Sequence, residues 1–213
     1  VVGSGSPLSA LLGPGILGNI FDGIERPLSD IAAKTGAFIP AGVAADSLDF
    51  DKPWQVTMLV KTGDKVTAGQ IFATCPETSV ITHKSMVPPD VAGEVVFAAA
   101  DGPHTLRDAL CRVRLADGSE RELTLAQRWP IRRPRPALRR EPISRPLVTG
   151  QRVIDTLFPI AKGGAAAIPG GFGTGKTMTQ HQLAKWCDAD IIVYVGCGER
   201  GNEMTQVLEE FGE

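Results

Sequence analysis

The apolar positions in the last third of the chain alternate between the periods of strands and helices. Residues 165–169 and 191–195 are short apolar runs, and the second is β-branched throughout its first half, which is typical of strands covered on both faces of a parallel sheet. Residues 176–186 are predicted to be helical. A second helix is predicted after Asn202, its expected N-cap, from apolar positions spaced at i, i+3, i+4 and i+7: Met204, Val207, Leu208 and Phe211. The pattern indicates the opening of an α/β domain.

The middle of the chain, residues 29–140, has a different pattern of short β-branched segments separated by glycine-containing turns. Residues 55–73 are predicted to form a strand, a turn, a short strand, a second turn and another strand. Residues 87–96 repeat the order of a turn followed by a valine pair. Residues 112–115 alternate and then meet Asp117 and Gly118, a strong hairpin turn. This pattern predicts a small barrel or a flattened sandwich.

The segments that flank this module are simpler. Residues 1–28 combine glycine with short apolar runs, which predicts short strands and turns at the end of a β-rich element. Residues 128–146 contain five prolines among seven arginines: Arg128, Arg132, Arg133, Arg135, Arg139, Arg140 and Arg145. Because proline fixes φ and disfavours both helix and central strand, we expect an extended, semi-rigid linker here.

Composition limits the classes of protein that fit. The chain has 213 residues, of which 43% are hydrophobic and 22% charged, as in ordinary globular proteins. No apolar run approaches the roughly 18 residues of a membrane helix. The formal net charge of −2, with Trp129 the single aromatic residue in the arginine-rich segment, argues against a nucleic-acid partner and favours a solvated surface or a contact with another chain.

The four cysteines and three histidines are scattered, without the paired spacing of a structural zinc site. We expect reduced, buried cysteines, with a thiol switch at Cys197 as the alternative. The chain starts without a methionine or a signal-peptide pattern and its last residues fall in a predicted helix. We therefore expect a fragment of a longer protein that lacks both ends.

Residues 170–177 fit the phosphate-loop pattern G-x-x-x-x-G-K-[ST] between a predicted strand and a predicted helix. Glycines let backbone N–H groups turn towards a phosphate, and the helix N-terminus faces the same anion. Lys176 supplies a charge for the β and γ phosphates, and Thr177 a hydroxyl ligand for Mg²⁺. The candidate nucleotide-binding residues are Gly170, Gly171, Phe172, Gly173, Thr174, Gly175, Lys176, Thr177 and Met178. A glycine-rich turn without a ligand is the alternative.

A second candidate motif, residues 196–203, follows the predicted strand 191–195. Ligands of open α/β sheets bind beyond the carboxyl ends of the strands, so the Glu199 carboxylate is a candidate to orient and polarise a water molecule. The alternative is a solvated or interdomain ion pair between Glu199 and Arg200. Glu203 is expected in the first turn of the following helix, where the dipole favours it.

Several stretches carry a resemblance to one family. Residues 170–177 and 196–204, together with residues 148–155 and 157–164, resemble the catalytic A subunit of V-type and A-type rotary ATPases. Two further matching stretches lie before and after the β module, at residues 13–17 with 20–28 and at residues 129–136.

The resemblance implies a multidomain α/β plus β architecture. Residues 1–28 would end an N-terminal β-barrel. Residues 29–140 would form the barrel-sandwich-like bulge insertion of the family, with the Pro/Arg-rich linker. Residues 141–213 would start a RecA-like P-loop nucleotide-binding domain.

The same resemblance implies ATP or ADP with Mg²⁺ as ligands, held by Lys176 and Thr177. Glu199 would position the hydrolytic water, and Arg200 would assist near the phosphates or lock its loop. ATP hydrolysis or synthesis at an interface with B subunits in an A3B3 hexamer would drive or use H⁺ or Na⁺ transport. Central-stalk and peripheral-stalk subunits would be further partners, with the membrane rotor coupled indirectly, on the cytoplasmic face of a membrane.

Two positions depart from the family pattern. Gly171 stands where proline is frequent, and Thr174 where eukaryotic members have cysteine, so a disulfide there is not expected. The isolated fragment is expected not to turn over ATP, because the Walker B aspartate and the adenine pocket would lie beyond residue 213.

Three alternatives remain open at this point. Residues 63–70 and 87–96 resemble a biotinyl or lipoyl hairpin, for which Lys84 is the candidate modified residue, although His83 and Ser85 do not fit that pattern. A non-catalytic nucleotide-binding ring subunit would lose the phosphate loop or Glu199. Another hexameric RecA-like ATPase, such as a helicase, would lack the insertion at residues 29–140.

Overall fold

The chain divides into two compact units, Val1–Arg139 and Arg140–Glu213. The computed structural model describes residues 3, 5, 7–137 and 141–211. Arg139 and Arg140 of the predicted linker lie outside these described residues, as do the ends of the chain. The three-part division of the sequence stays a prediction.

The first unit is built mainly from short antiparallel strands. Its strands are β1 (Ser9–Leu12), β2 (Trp54–Met58), β3 (Lys65–Val66), β4 (Ile71–Pro76), β5 (Thr82–Met86), β6 (Gly93–Ala98), β7 (Gly102–His104), β8 (Cys111–Arg114), β9 (Glu120–Leu123) and β10 (Gln127–Pro130). Two open four-stranded sheets run in the orders β5-β4-β2-β7 and β3-β6-β8-β9. The predicted β-rich module of short strands is thereby confirmed.

Residues from both sheets share one apolar core. Along β2, Trp54 and Val56 are buried while Gln55 is exposed, which is the period-two alternation of a strand with one covered face. Phe72 of β4 and Val113 of β8 are fully buried in the same cluster. Burial of this apolar surface is the main stabilising contribution to the first unit.

The hairpin between β8 and β9 forms where its turn residues predict it. Gly118 has φ +84°, in the left-handed region that glycine adopts without strain. The Ser119 N–H donates to the Asp117 carboxylate at 2.9 Å, and the Leu115 N–H donates to the Ser119 carbonyl at 2.8 Å. Local turn chemistry therefore sets the register of this hairpin.

Part of the predicted linker is a strand instead. β10 pairs antiparallel with β1, and Trp129 lies buried in it with its indole N–H donating to the Arg133 carbonyl at 2.7 Å. The Arg135 guanidinium stacks 4.4 Å from the centre of the Trp129 ring. Proline is tolerated because Pro130 is the last residue of a two-stranded ladder, where a missing N–H costs little.

One helix of the first unit was not predicted. Helix α1 (Leu28–Thr35) follows Pro27 and buries Ile31, within a region expected to be mostly β. Its eight residues carry too short an apolar pattern to stand out from the sequence.

The second unit contains three helices and one small ladder within the residues that the structure describes. Its elements are β11 (Pro146–Leu147), α2 (Arg152–Leu157), β12 (Ile160–Ala161), α3 (Lys176–Trp186) and α4 (Gly201–Phe211). β11 and β12 pair antiparallel. The helix predicted over residues 176–186 is confirmed at both ends, whereas α2 was not predicted.

The two predicted strands of this unit do not form. Residues 165–169 and 191–195 are irregular, and Val193 and Val195 are 79% and 73% exposed. A parallel strand needs hydrogen-bonded neighbours, and the described part of the chain places no strand beside either segment. Helix α4 begins at Gly201, so Asn202 lies inside the helix and the prediction of Asn202 as its N-cap was also wrong. Only the helices and the glycine loop of the expected RecA-like start are therefore present, within the described ranges, in the predicted form.

A carboxylate closes the turn that precedes α2. Asp155 accepts hydrogen bonds from the Thr149 hydroxyl at 2.7 Å, from the Thr149 N–H at 2.9 Å and from the Gly150 N–H at 3.0 Å. The hydroxyl of Thr149, followed by these N–H groups, lowers the pKa of Asp155 below its ordinary value. The buried Thr149 thus joins the β11 end to the first turn of α2.

We expect Gly93→Ala to destabilise the first unit. An added Cβ would overlap the backbone carbonyl oxygen of Arg114, which cannot move without disturbing β8. Overpacking of this kind costs about 1–3 kcal/mol or more. Urea unfolding followed by tryptophan fluorescence measures the loss. Gly23→Ala is the control, because its added Cβ meets no atom within 4 Å. Equal unfolding midpoints for the two variants would contradict the prediction.

We expect Thr149→Ala to raise the pKa of Asp155 while leaving it below the ordinary value, because the backbone donors remain. A carboxyl group with a lowered folded-state pKa stabilises the fold above its unfolded pKa and loses that contribution as pH falls through the folded value. The variant should therefore lose less stability below about pH 4 than the parent. A carbon-13 NMR titration of the Asp155 carboxyl measures the shift, and an unchanged midpoint would refute it.

Candidate functional site

The glycine loop ends in a helix whose N-terminus has no side-chain cap. Gly173 and Gly175 have φ values of +74° and +79°, so the chain turns through two left-handed residues before α3. Gly175 is the N-cap and provides no side chain, and the first turn of α3 contains no acidic residue. The free N–H groups and the positive end of the helix dipole therefore remain available to an anion.

The Lys176 side chain folds back over this loop. Its ammonium group donates to the carbonyl oxygen of Gly170, and to that of Gly171 at 2.9 Å. The Thr174 hydroxyl donates to the same Gly171 oxygen at 2.9 Å. A phosphate entering the loop would offer the ammonium group charged acceptors in place of these neutral carbonyl oxygens.

The close packing of the loop explains why residue 170 is a glycine. A Cβ at position 170 would lie 2.5 Å from the Thr174 hydroxyl oxygen. Gly170 therefore permits the fold of the loop by its small size, whereas Gly173 and Gly175 permit it by their backbone angles. Among the predicted binding residues, Phe172 is 97% exposed and Met178 is also exposed, so both side chains face solvent.

Thr177 fits the role of a metal ligand. Its side chain is half-buried at the start of α3, and the hydroxyl has no hydrogen-bond partner among the described residues. By contrast, the Thr179 hydroxyl is used within the helix, donating to the Gly175 carbonyl at 2.9 Å. A free hydroxyl beside a candidate phosphate site is a suitable oxygen donor for Mg²⁺.

Glu199 lies in the electrostatic field of the loop. A hydrogen bond with the Glu203 side chain is the largest cause of its raised pKa, followed by burial and the Glu203 charge, while His181 and Lys176 act in the opposite direction. The structure thus brings two predicted catalytic residues, Lys176 and Glu199, within electrostatic reach. Glu203 lies in the first turn of α4 as predicted, but its effect on the pKa of Glu199 was not predicted.

Arg200, the third predicted catalytic residue, is exposed immediately before α4. Within the described ranges its guanidinium takes part in no ion pair, so the proposed alternative of a Glu199–Arg200 pair is not seen. Its carbonyl accepts the N–H of Met204 in the first turn of the helix. The side chain is therefore free to contact a ligand or another chain.

His181 lies next to this site, and nothing in the sequence pattern indicated that it would. His181 is buried in α3, with Tyr194, Glu210 and Phe211 around its ring. These partners are 13 to 30 residues away along the chain, and no local spacing could have joined them.

The remaining candidate groups have structural surroundings. Cys75 and Cys111 are buried, and burial raises the pKa of each thiol to about 11, whereas Cys187 is partly buried and Cys197 is exposed. Within the described ranges, no group of three or more His, Cys, Asp or Glu side chains could hold a metal ion. No helix in those ranges is both long and apolar enough to span a bilayer.

Lys84 does not occupy the position that a swinging-arm carrier requires. It lies inside β5, paired with Thr74 of β4, rather than at the tip of a hairpin. A carrier lysine must project from a tight turn to reach its partner enzymes. The position of Lys84 therefore argues against that alternative.

Two family models match separate parts of the chain. Residues 45–132 match the ATP synthase alpha/beta subunit barrel-sandwich domain, and residues 150–213 match the nucleotide-binding domain of the ATP synthase alpha/beta family. The first range contains the two open sheets, and the second contains the glycine loop, Glu199 and α4.

Curated relatives match the chain over nearly its whole length. The V-type ATP synthase alpha chain of Halothermothrix orenii is 60% identical over 211 residues, which are 99% of this chain and 36% of the relative. The A subunit of the A-type ATP synthase of Methanopyrus kandleri is 55% identical over 213 residues, 100% of this chain and 36% of the relative. The V-type ATP synthase alpha chain 2 of Clostridium tetani is 56% identical over 208 residues, 98% and 35% respectively.

The chain spans about 36% of the length of the first two relatives. Both family models describe domains of ATP synthase alpha/beta subunits, in agreement with the names of these relatives. The chain therefore belongs to the family of V-type and A-type ATP synthase A (alpha) subunits.

Proposed function

We propose that this chain contributes the phosphate-binding part of a catalytic site that hydrolyses or synthesises ATP in a rotary V/A-type ATPase. The observation that carries the proposal is the uncapped N-terminus of α3, with the Lys176 ammonium held over loop carbonyls and Glu199 within its electrostatic reach. The names of the relatives and the match to a nucleotide-binding family model support the nucleotide as the ligand.

In the proposed mechanism, residues 170–178 bind the phosphates and Glu199 acts on the water. The loop N–H groups and the Lys176 ammonium hold the β and γ phosphates and stabilise charge on the transferred group. Thr177 would hold Mg²⁺, which neutralises phosphate charge when bound. Glu199 orients the attacking water, which is the positioning that phosphoryl transfer requires. Arg200, free of ion pairs among the described residues, either assists near the phosphates or fixes its loop.

The proposed assembly follows the family. B subunits in an A3B3 hexamer would complete the site at the A–B interface, and central-stalk and peripheral-stalk subunits would couple it to H⁺ or Na⁺ transport through the membrane rotor. The complex would lie on the cytoplasmic face of that membrane. Residues 1–28, 29–140 and 141–213 would be barrel end, bulge insertion with linker, and the start of the RecA-like domain. The chain alone would not turn over ATP.

Lys176→Ala should weaken MgATP binding by a factor on the order of 100, since charge-assisted hydrogen bonds contribute about 1.5–3 kcal/mol. Isothermal titration calorimetry with the full-length protein measures the change. Lys185→Ala is the matched control, because Lys185 is a lysine in the last turn of the same helix, beside Trp186. If both variants lose the same affinity, Lys176 has no special contact with the nucleotide.

Glu199→Gln should lower the kcat of ATP hydrolysis by about 10²–10⁴-fold while MgATP binding stays within a few-fold, because the side chain acts on the water and not on the phosphates. The assay uses the full-length protein with and without its B partner. Glu209→Gln, an exposed position on α4, is the control.

Each result of this assay has a distinct meaning. Turnover that requires B and collapses in Glu199→Gln supports an interfacial catalytic site. Turnover without B indicates a self-contained ATPase. Tight binding without turnover in either protein overturns the proposed mechanism and indicates a non-catalytic nucleotide-binding ring subunit.

A further inference from the structure

His181 is the most deeply buried ionisable side chain of the second unit among the described residues. It is 1% exposed and lies on α3, five residues after Lys176. At 1.5 Å of rise per residue, it sits roughly 7.5 Å further along the helix than Lys176. Burying an imidazole costs free energy unless its nitrogens face polar partners, so the groups around it define what the ring can do.

Both nitrogens of the ring face oxygen atoms from other parts of the unit. Nδ1 lies 3.3 Å from a carboxylate oxygen of Glu210, near the end of α4. Nε2 lies 3.4 Å from the hydroxyl of Tyr194. Nδ1 has no well-aligned hydrogen bond among the described residues, so Glu210 is its nearest polar partner.

The partners of the two ring nitrogens differ in their hydrogen-bonding capacity. A carboxylate only accepts hydrogen bonds, so Nδ1 faces Glu210 as a donor, whereas the Tyr194 hydroxyl can donate to Nε2 or accept from it. Gln206 donates to the other oxygen of Glu210 at 2.7 Å and keeps that carboxylate oriented. Glu210 and Tyr194 therefore restrict the orientation of the imidazole ring from both sides.

The ring also packs against two aromatic side chains. Its centre lies 5.6 Å from that of Tyr194 and 5.9 Å from that of Phe211, both edge to face. Tyr194 precedes Glu199 by five residues. Helix α4 starts two residues after Glu199, and Glu210 and Phe211 lie at its end. One side chain of α3 therefore contacts the chain both before and after the Glu199 loop.

We propose that His181 is a positioning residue that holds the Glu199 loop in place relative to the phosphate loop. The inference rests on the proposed function, because it assigns His181 a task in the same reaction. The proposed phosphate-binding groups belong to the N-terminus of α3 itself, whereas the segments on both sides of Glu199 are joined to this helix by the contacts of Tyr194, Glu210 and Phe211 with His181. Loss of His181 should therefore affect turnover far more than nucleotide binding.

The test uses the full-length protein in complex with its B partner. His181→Phe keeps an aromatic ring and removes both nitrogens. We expect kcat to fall at least ten-fold, with KM and the Kd for MgATP within about two-fold of the parent. His181→Gln, which keeps a polar group that can donate and accept, should retain more of kcat than His181→Phe. Glu209→Gln, one residue before Glu210 and exposed, should match the parent.

A purely structural role would give a different result. In that case the melting temperature falls and kcat per assembled site is unchanged, which overturns the proposal. If His181→Phe does not assemble, Tyr194→Phe, Glu210→Gln and their double variant replace it. A combined loss in kcat smaller than the product of the single losses supports a shared role through the imidazole, and independent losses overturn it.

Different outcomes would overturn the role of His181 and the proposed function. An active parent with a defective Glu199→Gln and a fully active His181→Phe overturns the role of His181 and leaves the proposed function intact. An inactive parent complex that binds MgATP overturns both.

Discussion

The candidate site depends on backbone N–H groups that the fold leaves without intramolecular acceptors. The first N–H groups of any helix lack partners within the helix, and a capping side chain commonly satisfies one of them. In α3 that capping position is Gly175, which offers no side chain, and the loop before it turns through left-handed glycines. Several unpaired N–H donors close together raise the free energy of the loop when no ligand is bound, and a bound anion lowers it by accepting their hydrogen bonds. The proposed roles of Lys176 and Glu199 both depend on an anion bound at these free N–H groups.

The parts of the structure that were predicted well are those decided by neighbours in the chain. The bounds of α3 follow from residues within the helix, and the β8–β9 hairpin follows from Asp117 and Gly118. The phosphate loop is likewise a local motif. By contrast, the β1–β10 ladder joins residues more than a hundred positions apart, and only the fold reveals that Trp129 is buried in a strand and not in a linker. The His181 contacts are long-range in the same sense.

The wrongly predicted strands have a related explanation. Residues 191–195 have the composition of a strand covered on both faces, but propensity alone does not form a strand, because each N–H and carbonyl needs a partner on a neighbouring strand. The segment stays irregular with Val193 exposed, while the helices of the same unit form, because helices satisfy their hydrogen bonds internally. The same difference explains why the first unit, whose strands pair with one another within residues 54–123, forms regular sheets.

The β1–β10 ladder also bears on how this architecture tolerates change. Ser9 pairs with Pro130 and Leu12 with Gln127, so the chain enters and leaves the region between them at adjacent points. Residues 13–126 therefore form one continuous segment whose two ends are held next to each other by the pairing of β1 with β10. A segment with neighbouring ends can lengthen, shorten or be exchanged while the flanking chain keeps its path. In evolutionary terms, the β1–β10 ladder holds the flanking chain in place, so that the β module between the two strands can be inserted or exchanged as a unit.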